Sequence, residues 1–175
     1  GYVTGIFGKW GLGAPGSEGI PTRQGFDEFF GYLDQRRAHY YYPEFLWRNE
    51  TRVPLPNRTR PTENTVGAGW AVEKGQYSHD RIAEEALDFI DRHHERPFFL
   101  YLPFTIPHAD IDAPPDALAP YLDDTGASVF PETPFPGAHY SPQPMPRAAY
   151  AAMVSRMDRD VGRVLDRLRE HGLTE

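Results

Sequence analysis

Gly1-Tyr2-Val3-Thr4-Gly5-Ile6-Phe7-Gly8-Lys9-Trp10-Gly11-Leu12-Gly13 is a short apolar run that collapses into a glycine-rich loop with one lysine at its centre. Val3, Ile6 and Phe7 between glycines suit a buried strand, and Gly8, Gly11 and Gly13 permit close backbone approaches that other residues resist. Lys9 therefore stands at the carboxyl end of a strand, the edge at which open α/β sheets bind ligands. A second strand is expected at Pro97-Phe98-Phe99-Leu100-Tyr101-Leu102-Pro103, whose unbroken apolar character fits coverage on both faces. It follows a helix that Ser78 is placed to cap, with Ile82, Ala83, Ala86, Leu87 and Ile90 on one stripe. A helix followed by a buried strand indicates α/β architecture.

His108, in Phe104-Thr105-Ile106-Pro107-His108-Ala109-Asp110, follows that second strand as Lys9 follows the first. Parallel strands of one sheet release their chains on the same edge, so Lys9 and His108 are expected to face one ligand.

The stretch from Ser17 to Pro61 reads as an irregular, aromatic-rich cover, with Phe26, Phe29, Phe30, Tyr32, Tyr40, Tyr41, Tyr42, Phe45 and Trp47 packed onto the sheet. Within it Gln35, Arg37 and His39 are groups that hydrogen-bond hydroxyls or anions. The proline-rich passage from Phe130 to Arg147 can only be loop, and its interleaved Phe130, Phe135 and Tyr140 point to an ordered one that lines a site. A last helix carries Tyr150, Met153, Val154, Met157, Val161, Val164, Leu165 and Leu168 on one side and is capped by Gly172. The abrupt start inside a strand and the halt at Leu173-Thr174-Glu175 read as an internal piece of a longer enzyme.

The 175 residues suit one domain, and 39% hydrophobic content is enough to bury a core. No run approaches the roughly 20 apolar residues of a membrane span. A net charge of -7 with both signs interspersed argues against nucleic acid or an anionic membrane as partner. The absence of cysteine excludes disulfides and thiolate metal sites. His79, His93, His94 and His171 lie on helix flanks or ends, where solvated histidines are ordinary. Asp158 and Asp160 point to different helix faces, which disfavours a shared metal.

The opening string, Gly-Tyr-x-Thr-Gly-x-x-Gly-Lys-Trp-x-Leu-Gly, resembles the second signature of the type I sulfatases, members of the alkaline-phosphatase superfamily. Gly25-Phe26-Asp27-Glu28-Phe29-Phe30-Gly31, the helix from Ser78, the Pro107-His108 pair and the helix through Ala151 to Gly162 continue the likeness over nearly the whole chain. The resemblance implies an α/β, alkaline-phosphatase-like three-layer sandwich with a mixed, mostly parallel sheet, incomplete here, with residues 1–175 an internal part of one catalytic domain. It implies hydrolysis of a sulfate monoester on an aryl or carbohydrate substrate. It also implies a formylglycine nucleophile upstream, made from cysteine or serine in a Cys/Ser-x-Pro/Ala-x-Arg motif that this chain lacks. A bound divalent cation, usually Ca2+, is implied as well, with ligands outside residues 1–175 and none within.

By the same resemblance Lys9 binds the sulfate group, and His108 contacts the sulfate and protonates the leaving oxygen. Gln35, Arg37 and His39 fall in the region that varies with substrate and are expected substrate contacts. The family most often has a histidine where Gly11 stands, so either another side chain supplies the base that turns over the sulfated intermediate, which is the favoured reading, or desulfation becomes the slow step. His39 and His139 are placed on loops able to do so. The family's habit is periplasmic or secreted; the oligomeric state is left open. Two rival readings are a phosphate or phosphonate ester hydrolase of the same superfamily and a non-catalytic protein binding sulfated glycans.

Overall fold

The computed structural model describes residues 1–61 and 66–174. Five strands form one sheet, β1 (Val3–Lys9), β2 (Glu28–Tyr32), β3 (Phe45–Arg48), β4 (Thr51–Pro54) and β7 (Phe98–Tyr101), in the order β4-β3-β2-β1-β7. β1 runs parallel to both β2 and β7, whereas the pairs β2/β3 and β3/β4 are antiparallel. A separate ribbon pairs β5 (Arg58–Pro61) with β6 (Gly69–Glu73). The helices are α1 (Ser78–His93), the one-turn α2 (Pro115–Leu118) and α3 (Pro146–Glu170).

Strand alternation sends Val3 and Phe7 of β1, with Phe30 and Tyr32 of β2, toward α1, where Ile82, Ala86 and Phe89 meet them. Ile6 and Phe29, one residue out of phase, bury on the other face beneath Trp10, Phe26 and Trp47. Both long helices lie on the first face: Leu87 and Ile90 of α1 pack with Val164 of α3 and with Phe98 and Leu100 of β7.

The expected strand at 97–103 is present over Phe98–Tyr101, but only one of its faces is covered. Phe99 and Tyr101 are 53% and 48% exposed, because among the described residues β7 lies at the sheet's edge with both helices on the opposite face. The Ser17 to Pro61 cover is less irregular than expected, since it supplies β2, β3, β4 and β5. In β2, Glu28-Phe29-Phe30-Gly31-Tyr32 buries side chains on both faces, so it shows no alternation to read. Tyr32, Tyr40, Tyr41 and Tyr42 are all buried, as a packing cover requires.

Ser78 does not cap α1. Tyr77 is the capping residue, with no side-chain cap, and Ser78 is the first helical residue, buried, its N–H donating to the Tyr41 carbonyl at 2.8 Å. A carbonyl from the aromatic segment thus replaces the hydroxyl as partner for a helix-terminal N–H. On α3 the apolar side divides: Met153 and Val164 are buried beside Ala149 and Ala152, whereas Tyr150, Val154, Val161 and Leu165 are exposed. The stripe is wider than the contact with α1. At its end Gly172 takes φ +69, and its N–H and that of Leu173 bond the Arg169 and Leu168 carbonyls, closing the helix as expected. Residues 130–145 form a loop pinned by a reciprocal backbone pair between Phe135 and Gln143.

Candidate active site

Gly8 and Gly31 are register partners on β1 and β2, with φ +145 and +146. A Cβ on Gly31 would lie 1.9 Å from the Gly8 carbonyl oxygen, and one on Gly8 2.2 Å from that of Pro103. Only glycine lets the chains leaving β1, β2 and β7 approach so closely. The Lys9 N–H donates to Pro103 O and the Trp10 N–H to Tyr32 O, each at 2.9 Å, so the lysine loop is tied to both neighbouring strand ends.

His108 leaves the same edge five residues beyond Pro103. Its turn hangs on the buried Tyr41, whose hydroxyl donates to the His108 carbonyl at 2.5 Å. The His108 Nδ1–H donates to the Ala109 carbonyl at 2.5 Å. A proton held on Nδ1 leaves Nε2 as the nitrogen available to exchange one.

His39 stacks on His108, with ring centroids 4.7 Å apart and planes within 10°. The His39 carbonyl accepts from the Asp110 N–H at 2.9 Å, and Nδ1 is buried with no hydrogen-bond partner among the described residues. Burial lowers the pKa of His39, and the nearby charges of His108, Lys9 and His139 push it the same way. Both effects favour the neutral ring, which leaves it an acceptor near the Lys9 ammonium. His139 reaches this place from the proline-rich loop, where the Tyr40 hydroxyl donates to its carbonyl at 3.1 Å and Tyr140 lies edge-on to His39.

Gln35 lies against Gly11, at φ +76: a Cβ there would stand 2.7 Å from the Gln35 amide. The volume that a side chain at position 11 would enter belongs to Gln35. Arg37 opens the same turn that ends in His39, and its guanidinium lies 3.6 Å over the Phe45 ring. Lys9, His39 and His108 are thus brought together at one edge with His139, while Gln35 and Arg37 line an adjoining cleft.

The histidines set aside in the sequence occupy structural contacts. His79 meets Asp160 at 3.0 Å in the α1/α3 interface, His93 meets Glu28 at 2.9 Å, and His171 meets Asp91 at 2.8 Å while stacking on His94. Among the described residues no group of three or more histidines and carboxylates could hold a metal ion. The described residues do not form a calcium site.

The Sulfatase family profile matches residues 1–175. The chain belongs to the sulfatase family. A canine N-acetylgalactosamine-6-sulfatase is 29% identical over 190 residues, covering all of this chain and 28% of the relative. An uncharacterised sulfatase of Schizosaccharomyces pombe is 27% identical, covering 98% of this chain and 36% of the relative. This sulfatase chain therefore spans about a third of the length of the curated relatives it matches. Among solved structures, Ps i-CgsB in complex with a neocarrahexaose superposes with a TM-score of 0.66 at 24% identity, covering 98% of this chain and 35% of the other. The protein yidJ from Bacteroides fragilis superposes at 0.60 with 20% identity over 98% of this chain and 38% of that one. These likenesses bear out the α/β fold with a mixed sheet.

Reading the sequence did not single out Phe45, Trp47 and Arg52 as parts of a cleft. Their signal is tertiary: the β3/β4 hairpin sets Arg52 opposite Trp47, a pairing that no linear spacing reveals.

Proposed function

We propose that this sulfatase-family protein, with its remaining segments in place, is a sulfuric ester hydrolase acting on a sulfated carbohydrate or aryl ester. The observation carrying the reading is the convergence of Lys9, His39 and His108 at the carboxyl edge of the parallel strands β1 and β7. In it Lys9 supplies fixed positive charge to the sulfate oxygens as negative charge builds on the leaving oxygen. His108, protonated at Nε2, donates that proton to the leaving oxygen. His39 stacks behind the ring and holds its plane; as a neutral base next to His108 it is also the side chain best placed to stand in for the histidine that Gly11 lacks, with His139 beside it. Formylglycine, when present, supplies the nucleophile and a divalent cation supplies further charge neutralisation; both belong to segments outside residues 1–175. The name of the canine relative favours a sulfated sugar. A periplasmic or secreted location accords with the family, and no described helix is long and apolar enough to cross a membrane.

In the full-length enzyme, Lys9→Ala and His108→Ala are each expected to lower turnover on the order of a hundredfold with a poor leaving group. Steady-state kinetics on sulfate and phosphate monoesters of the same alcohol checks this. Near wild-type rates for both variants remove their roles, and preference for the phosphate ester favours the superfamily's phosphate chemistry instead.

A further inference from the structure

Beside the reaction edge lies a cleft of about 460 Å3, lined by Gly11, Gln35, Arg36, Arg37, Trp47 and Arg52 among others. Gly11 joins it to the lysine loop: its Cα lies within about 7.6 Å of that of Lys9, two trans peptide units away. On the far side, the turn Arg37–His39 puts its first residue in the cleft and its last against His108. The cleft and the proposed reaction centre therefore share two walls.

The cleft is cationic in a chain of net charge -7: its three arginines face one lining carboxylate, Asp34, with Glu44 also near Arg37. Arg36, Arg37 and Arg52 make no ion pair among the described residues, although most other arginines do. The carboxylate on the wall, Asp34, accepts the backbone N–H groups of Arg36 and Arg37 at 2.8 and 2.9 Å. Arg37 donates through Nη2 to the Phe45 carbonyl at 3.1 Å, and its buried Nε has no partner. Arg52 reaches over the Phe45 ring at 4.5 Å and the Trp47 ring at 5.3 Å. Stacking of both guanidiniums on Phe45 holds their planes in place before any ligand arrives. An ordered pair of planar donors beside apolar ring faces suits an oxyanion carried on a sugar.

We propose that the cleft between Arg37 and Arg52 is a second anion subsite, which takes a carboxylate or sulfate on the sugar next to the one whose ester is cleaved. This rests on the sulfatase reading above and narrows its substrate class to polyanionic sulfated oligosaccharides.

The test uses the full-length enzyme and three sulfated disaccharides that share the scissile ester and differ in the neighbouring sugar: neutral, uronate-bearing or carrying a second sulfate. In the wild type kcat/KM is expected to favour an anionic neighbour, and whichever of the two is preferred identifies the anion. Arg52→Ala lowers the anionic-to-neutral ratio about tenfold, the loss expected for one charged hydrogen bond, and Arg52→Glu lowers it further. Ratios that stay within about twofold in both exposed-site variants overturn the subsite. If no disaccharide is hydrolysed, the sulfatase reading fails, and calorimetric titration with the same three compounds still reads the cleft. Tighter wild-type binding of an anionic compound, lost in Arg52→Glu, supports the subsite; equal binding of all three overturns it.

Discussion

Asp110 is 3% exposed two residues beyond His108, with the Ser141 hydroxyl donating to it at 2.5 Å. Burial raises its pKa to about 6, against the hydrogen bond from Ser141, with the charge of Asp112 adding to the rise. A carboxyl whose folded pKa lies above its unfolded value of 3.8 binds more protons folded than unfolded between the two. Its contribution is fully present below about pH 4 and is lost as pH climbs through 6, amounting to about 3 kcal/mol. Urea unfolding across that range is expected to show the wild type losing this stability with rising pH. In Asp110→Asn the loss disappears, because asparagine keeps an acceptor for Ser141 without a charge. An unchanged pH profile in the variant would show that Asp110 ionises freely.

The α1/α3 pair illustrates how an element is held by groups with the opposite sign. Arg156 of α3 bonds Asp80 of α1 through two nitrogens at 2.8 and 2.6 Å and reaches Asp116 of α2 at 2.5 Å. One turn on, Asp160 is fully buried against His79, with Arg159 and Arg163 donating to it. Burial opposes its ionisation, but the contacts from His79, Arg159 and Arg163 outweigh burial and hold its carboxyl well below the usual range. Its stabilisation is present above pH 4 and is lost as pH falls below that, the reverse of Asp110. Asp160→Ala leaves the buried His79 facing an empty site and is expected to cost about 3 kcal/mol at pH 7, read from denaturant midpoints. A cost under about 1 kcal/mol would mean that the packing of Ala149, Ala152 and Met153 alone holds α3.

For the whole molecule, a chain of net charge -7 gathers Lys9, Arg36, Arg37 and Arg52, none of them ion-paired among the described residues, in one region with three histidines. A local positive field inside a negative surround steers small anions and repels bulk acidic partners. Raising ionic strength from about 10 to about 150 mM shortens the screening length from about 30 to about 8 Å. The KM for a polyanionic substrate should then rise severalfold while kcat holds steady. A KM indifferent to salt would confine recognition to short-range contacts.

Legible in the residues alone were the α/β class, the strand that delivers Lys9, the parallel edge shared with His108, the capped end of α3 and membership of the sulfatase family. These follow from local signals: apolar runs set strands, glycines mark where chains cross closely, and a lysine or histidine directly after a strand has nowhere to go but the sheet edge. Tertiary structure alone decided which side of α3 is covered, why Ser78 begins α1 without capping it, and that β2 to β5 run through the aromatic cover. It also decided that His39 stacks on His108, that Gln35 fills the space beside Gly11, and that Arg52 meets Arg37 across Phe45. Each of these depends on which surface arrives from elsewhere in the chain, such as the Tyr41 carbonyl at Ser78 or the β3/β4 hairpin at Arg37. Residue spacing along one segment carries no record of that partner.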